Sequence, residues 1–262
     1  MIIDCFTFNG EYDLLEIRLN VLNSYVDEFI IVEFDKTFSG KPKPAYYLEQ
    51  RGRYEKWWHK INYRTYEEKD YSKYLELAKS SPNTQGADHW KREFCQKECL
   101  KDALIGLSND DIIFIGDVDE VWYPGVYHPF NPQKLKLKVY SYWLNNRSSE
   151  QFWGTLLAEY KDIKNECLNH LRSNSPKQEQ DTGWHFTSMG GHKEIYRKLT
   201  DSYTEESYAN DWVLRNLEEN VDNNKDFLGR NFNYWIDESK WPQYLKDNRE
   251  KYEHLLKPTN LV

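Results

Sequence analysis

The opening of the chain most limits what it can fold into. Ile2 to Phe8 is rich in strand formers, and Phe29 to Phe34 is again strand-like. Between them, Glu11 to Tyr25 carries Leu14, Leu15, Ile17, Leu19, Val21 and Leu22 at helical spacing. Strand, helix and strand within about 35 residues make a βαβ unit, which requires a parallel strand pair and a right-handed crossover. The expected fold class is therefore α/β. Ile61 to Tyr66 reads as a third strand, and the apolar run Ile112 to Ile115 as one buried on both faces. Asp88 to Leu107 reads as a helix with Asp88 as N-cap and Cys95, Cys99, Leu100, Ala103, Leu104 and Leu107 on one face. Leu135 to Asn145 alternates Leu135, Leu137 and Val139 against Lys134, Lys136 and Lys138, a strand with one wet face. Thr204 to Asn224 and Trp241 to Leu256 are helical in pattern.

Charge and leader segments narrow the function. A formal net charge of −8 argues against general nucleic-acid binding, which needs a basic footprint. No run approaches the roughly 18 apolar residues of a spanning helix, and the Met1-Ile2-Ile3-Asp4 start lacks the basic and apolar regions of a leader. The expectation is a soluble, cytoplasmic chain without a transmembrane segment. Cys5, Cys95, Cys99 and Cys167 form no CxxC pair, so free thiols are expected. Ten Trp and 20 Tyr suit stacking on sugars, although core packing accounts for most aromatics.

Chemistry concentrates where the buried run Ile112–Ile115 ends in Gly116-Asp117-Val118-Asp119-Glu120. Carboxylates at a strand's carboxyl end are hard oxygen ligands, suited to magnesium or manganese. A solvated acidic turn is the alternative. Asp-x-Asp after a hydrophobic strand also occurs in haloacid dehalogenase-like phosphatases, but that motif opens its domain and here stands fourth among the strands. In a nucleotide-sugar transferase the same carboxylates hold a cation that stabilises the leaving diphosphate. Gly183-Trp184-His185-Phe186 offers His185 as a third ligand, with Asp181 near it. The loop from Lys36 to Pro44 is broken by Gly40, Pro42 and Pro44 and puts Lys41 at a strand end, where ligand crevices form. Arg92 and Gln96 share one helix stripe.

Phe8-Asn9-Gly10-Glu11-Tyr12-Asp13-Leu14-Leu15-Glu16-Ile17-Arg18, Val26 to Glu33, the Thr37-to-Pro44 loop, the Asp-Val-Asp-Glu stretch, Gly-Trp-His-Phe and the end from Tyr244 to Leu256 together resemble glycosyltransferase family 17. The resemblance covers nearly the whole chain. It implies a GT-A-like, Rossmann-like mixed sheet flanked by helices, forming one domain over residues 1–262. Residues 1–121 would bind the nucleotide-sugar and residues 122–262 the acceptor. It also implies a UDP-sugar donor, UDP-N-acetylglucosamine in the best-known members, a divalent cation (Mn2+ or Mg2+), and inverting transfer to a glycan hydroxyl. On this resemblance Asp117 and Asp119 are the metal residues, to which the position of His185 adds the third ligand. Phe8, Asn9, Glu33, Lys41, Arg92, Gln96, Asp117 and Val118 meet the donor. Asp181 is the base, with Glu120 and Asp211 behind it, and Trp143, Trp153 and Trp184 meet the acceptor. A non-catalytic glycan-binding protein on the same scaffold is the other reading.

Overall fold

The computed structural model describes residues 1–84, 87–125, 131–202 and 208–257. Its centre is one mixed sheet of nine strands: β1 (Ile2–Thr7), β2 (Glu28–Phe34), β3 (Ile61–Tyr66), β4 (Ile112–Asp117), β5 (Glu120–Trp122), β6 (Gln133–Ser141), β7 (Asn146–Glu159), β8 (Lys177–Thr187) and β9 (Tyr234–Ile236). Their order is β3-β2-β1-β4-β7-β6-β8-β5, with β9 on β7. The first four run parallel, as the βαβ pattern requires. From β4 onward antiparallel pairs take over, except that β6 and β8 are parallel. The longer helices are α1 (Tyr12–Leu22), α2 (Asp88–Ala103), α3 (Leu168–Asn174), α4 (Gly191–Ser202) and α5 (Asp211–Asp222).

The period-two alternation of the parallel strands sorts their side chains into two cores. Phe6, Phe29, Ile31 and Phe114 face α1 and the C-terminal segment of Trp241, Leu245 and Tyr252. Ile3, Cys5, Ile30, Val32, Ile113 and Ile115 face α2 through Phe94, Cys95, Cys99 and Leu100. A smaller cluster joins α4 and α5 through Ile195, Leu199, Val213 and Leu217. All four cysteines are free.

The departures from expectation have local causes. Ala87, in extended backbone, is the N-cap of α2, and Asp88 falls in the first turn, where a carboxylate still favours the helix dipole. The expected alternation of β6 holds at Lys136 and Lys138, which are half-buried between buried Leu135, Leu137 and Val139, but Lys134 is 6% exposed, and its ammonium meets the Ser173 carbonyl at the end of α3. Phe152 to Thr155 lie inside the fourteen-residue strand β7. The terminal helix is two short pieces, Gln243–Asp247 and a 3-10 stretch from Arg249 to Leu255. Of the stretch from Thr204 to Asn224, residues 204–207 lie outside the described residues, and α5 takes most of the remainder.

Helix α1 is more than amphipathic, because it buries Arg18 completely. The guanidinium pairs with Asp4 of β1 at 2.6 and 2.8 Å, with both side chains at 0% exposure. It also donates to the carbonyls of Asp117, Val118 and Glu120 at 3.0, 3.3 and 2.6 Å. Asp4 takes a further hydrogen bond from Trp122 Nε1 at 3.0 Å. Removing one member of such a network strands a buried charge. Arg18→Met is therefore expected to lower unfolding free energy by about 3 to 5 kcal/mol, read by urea titration.

Candidate active site

Thr7 and Asp117 are the last residues of β1 and β4 and are register partners. They open onto a cleft of about 1010 Å³ at the carboxyl ends of the parallel strands. Such crevices are where open α/β sheets bind ligands. Thr7 Oγ1 donates to Asp117 Oδ1 at 2.8 Å. Lys97 of α2 and Arg172 of α3 stand 3.5 and 3.6 Å from the other oxygen of Asp117. Burial works to raise the Asp117 carboxyl, but the Lys97 and Arg172 charges and the Thr7 hydroxyl hold it well below the usual carboxylate range.

Strand pairing delivers the opposite wall. Glu120 of β5 is the register partner of His185 of β8, and the Phe186 amide donates to the Asp119 carbonyl at 2.9 Å. His185 Nε2 thereby lies 3.6 Å from Asp119 Oδ2, and its ring stacks on Phe152 at 4.0 Å. Lys198 of α4 approaches the same Asp119 oxygen at 3.8 Å. Glu120 is buried, held by the Thr155 hydroxyl at 3.0 Å and by Arg172 at 3.3 Å. Burial, outweighing Arg172, pushes its carboxyl above the ordinary value. Two glycines make room for it: a Cβ on Gly154 would lie 2.7 Å from Glu120 Cδ, and one on Gly116 would lie 2.5 Å from Oε2.

Arg172 owes its place to Glu98, a wholly buried residue of α2. The Glu98 carboxylate accepts the Leu168 and Asn169 amides at 3.0 and 3.1 Å and so caps the start of α3. One turn further on, Arg172 projects over Asp117 and Glu120.

Of the residues singled out from sequence, the cleft gathers Phe8, Asn9, Gln96, Asp117, Val118 and Asp119, and with them Glu120, Trp153 and His185. Gln96 donates to the Lys36 carbonyl at 2.9 Å. The others lie outside its lining. Glu33 accepts the Tyr46 and Tyr47 amides and the Tyr63 hydroxyl at 2.8 to 3.0 Å, anchoring the chain after the Lys36-to-Pro44 loop. Arg92 donates to the Phe38 carbonyl at 2.6 Å and lies under Gly40. Lys41 reaches α4 at the Thr200 carbonyl and Asp201. Asp181 pairs with Lys138 at 3.5 Å, and Asp211 pairs with Arg215 on an exposed face. Trp184 is core, donating to the Lys240 carbonyl, while Trp143 packs over Gly191. Trp153 lines the cleft with lysines near its ring rather than an open face.

Sequence reading missed Thr7, Lys97, Arg172 and Lys198. Thr7 had a signal, since two parallel strands ending together place Phe6-Thr7 beside Gly116-Asp117. Arg172 and Lys198 had none, because they arrive on helices whose docking is a tertiary matter.

Asp119 and His185 fit a small divalent cation: a carboxylate oxygen and an imidazole nitrogen suit manganese, and 3.6 Å can separate two ligands of one ion. Asp117 engages Lys97, Arg172 and Thr7 instead. Among the described residues the group of three whose ligand atoms come together is His192, Glu218 and Asp222, on the outer side of α4 and α5.

The proteins this chain resembles are sugar transferases. It is 29% identical over 146 residues to the β-1,4-mannosyl-glycoprotein 4-β-N-acetylglucosaminyltransferases of Rattus norvegicus and Homo sapiens, and 28% identical to that of Mus musculus. These matches cover 54% of this chain and 24% of each relative, so the chain matches about a quarter of their length. The model of glycosyltransferase family 17 matches residues 1–203, and the chain belongs to that family. No helix among the described residues is long and apolar enough to cross a membrane.

The Asp119–His185 pair carries a pH signature. Burial lowers the tendency of His185 to protonate, but Asp119 beside it lifts the imidazole above its ordinary 6.5. Burial likewise opposes ionisation of Asp119, and His185 and then Lys198 bring its carboxyl below its ordinary 3.8. The stabilisation is full between those two values. It is lost as pH falls through the depressed Asp119 value or rises through the raised His185 value. In chelator-treated protein, NMR titration is expected to place the His185 midpoint above 6.5, and Asp119→Asn to move it below.

Proposed function

We propose that this glycosyltransferase moves a sugar, N-acetylglucosamine by analogy with its relatives, from a UDP-sugar to a glycan hydroxyl with inversion, on a GT-A-like scaffold aided by a divalent cation. The observation that carries the reading is the set of carboxylates Asp117 and Asp119 facing Lys97, Arg172 and Lys198 across one cleft. Residues before 121 would seat the nucleotide and residues beyond it the acceptor.

The two aspartates are loosely coupled to these cations, although Lys97 also makes a short pair with Glu93 at 2.8 Å. The pairs from Lys97, Arg172 and Lys198 to Asp117 and Asp119 measure 3.5 to 3.8 Å, longer than the roughly 2.7 to 2.9 Å of a strong charge-assisted bond. A donor diphosphate entering the cleft can draw these cations to its oxygens. Asp119 and His185 would hold the cation, which supplies positive charge to the leaving diphosphate when bound. Preorganised positive charge in a cleft removed from bulk water is the strongest help a protein can give to a departing anion.

Glu120 is the base in this reading. It lines the cleft beside both aspartates, and its raised carboxyl accepts a proton more readily than an ordinary carboxylate once ionised. Arg172 contacts Glu120 and Asp117 together and so ties the base to the donor side.

Asp119→Ala is expected to cut cation-dependent hydrolysis of UDP-N-acetylglucosamine at least a hundredfold and to abolish the rise in melting temperature that UDP with Mn2+ gives the parent, which reports binding to the native state. Equal turnover and an equal shift in the variant would refute the reading. Lys198→Ala is expected to weaken UDP binding about tenfold by calorimetry, or about 1.4 kcal/mol, with the melting temperature of the free protein little changed.

A further inference from the structure

Beside the cleft the sheet carries cations that the donor chemistry does not use. The strand registers set Lys134 directly opposite Lys177 across β6 and β8, and Lys136 opposite Trp153 across β6 and β7 and opposite Asp181 across β6 and β8, the Asp181 carboxylate turning to Lys138 at 3.5 Å. Lys177 Nζ sits 4.4 Å from the centroid of the Trp153 ring, and Lys136 Nζ 5.6 Å from it. Lys134 directs its ammonium to the Ser173 carbonyl at 2.7 Å. Trp153 and Ser173 both line the cleft, so this lysine group borders it.

The arrangement is costly. Among the described residues, ion pairs reach the neighbouring Lys138 and Arg172 but none reaches Lys134, Lys136 or Lys177. Like charges directly opposite one another destabilise a sheet. Burial adds to the cost at Lys134, whose ammonium is depressed first by desolvation and then by the Lys177 and Arg172 charges. In a chain of net charge −8, two lysines over one tryptophan, with a third beside them held only by a carbonyl, mark a place that gains from an anion.

We infer that this edge is an anion-binding wall of the acceptor subsite, and that the acceptor is an acidic saccharide whose phosphate or carboxylate lies between Lys136 and Lys177 while its receiving hydroxyl reaches Glu120. The spacing suits this. Trp153 stands two residues along β7 from Thr155, which holds Glu120, a separation of roughly 7 Å along the strand. The inference rests on the donor reading above for the placement of the hydroxyl.

The test uses the full chain with saturating UDP and Mn2+, so that the donor cleft is filled, and titrates glucose 6-phosphate, glucuronic acid and glucose by ligand-observed NMR. At least one charged sugar is expected to bind tenfold or more tighter than glucose, and the arm that wins tells phosphate from carboxylate. The preference should fall with added salt and vanish in the K136Q/K177Q double variant, with UDP affinity and melting temperature retained. Equal binding of the three sugars, binding of none, or a preference that survives in the double variant overturns the inference while leaving the donor reading intact. Binding of a charged sugar by a chain that fails to bind UDP would instead count against the donor reading and leave the anion wall standing.

Discussion

The guanidinium of Arg18 is the interaction on which the site depends. It is wholly buried, and its partners are a strand carboxylate, Asp4, and three carbonyls of the Asp117-to-Glu120 turn. A turn between two strands ordinarily has freedom to drift. Here its carbonyls converge on one cation, so the alternating directions of Asp117, Asp119 and Glu120 are set by α1 packing on the sheet. Trp122 adds to this by bonding Asp4 and stacking on Phe114 with ring centroids 3.8 Å apart. The Arg18 contacts are a structural device whose product is the orientation of three cleft carboxylates.

That arrangement also explains the division of labour among the acids. Asp117 points to Thr7 and the cations of α2 and α3, Asp119 to His185 and Lys198, and Glu120 to Thr155 and Arg172 at the floor of the cleft, beside Gly116 and Gly154. Adjacent residues thus acquire different protonation behaviour from different surroundings. Asp117 and Asp119 are held ionised, and the Glu120 carboxyl is raised. Separation of this kind lets neighbouring carboxylates serve charge stabilisation and proton transfer side by side.

Much of this was legible in the chain itself, and what was not has a physical reason. Ile2–Thr7 and the buried run before Asp117 declare themselves because strands covered on both faces need continuous apolar residues, whereas Ile61–Tyr66, half-buried to exposed at the sheet edge, shows only through its strand-forming residue types. The short strands β5 and β9 are three residues each, too brief for any period to show. Asp119 and His185 were visible as motif residues, and their nearness follows from the β5–β8 pairing. Glu33, Arg92 and Lys41 looked like ligand contacts by position, but their side chains secure the Lys36-to-Pro44 loop and its flanks. That distinction depends on where a flexible side chain finds a partner, which spacing along a chain does not encode. Arg172 reaches the centre on a helix that Glu98 caps, a contact spanning 70 residues between Glu98 and Leu168, and that buried Leu168 and the Asn169 bond to the Phe94 carbonyl also dock.

The pairing of β1 with β4 joins residues 110 apart, and the pairing of β5 with β8 brings in His185 after another long interval. Contacts of such separation form late, since loop closure must precede them. As the chain emerges during synthesis, Asp117 and Asp119 are made well before the residues that neutralise and orient them. The acidic turn must therefore pass through a period without Arg172, His185 and Lys198, and the cleft acquires its electrostatic balance only when α4 docks. A chain truncated before Lys198 would carry the motif without the environment that gives it meaning.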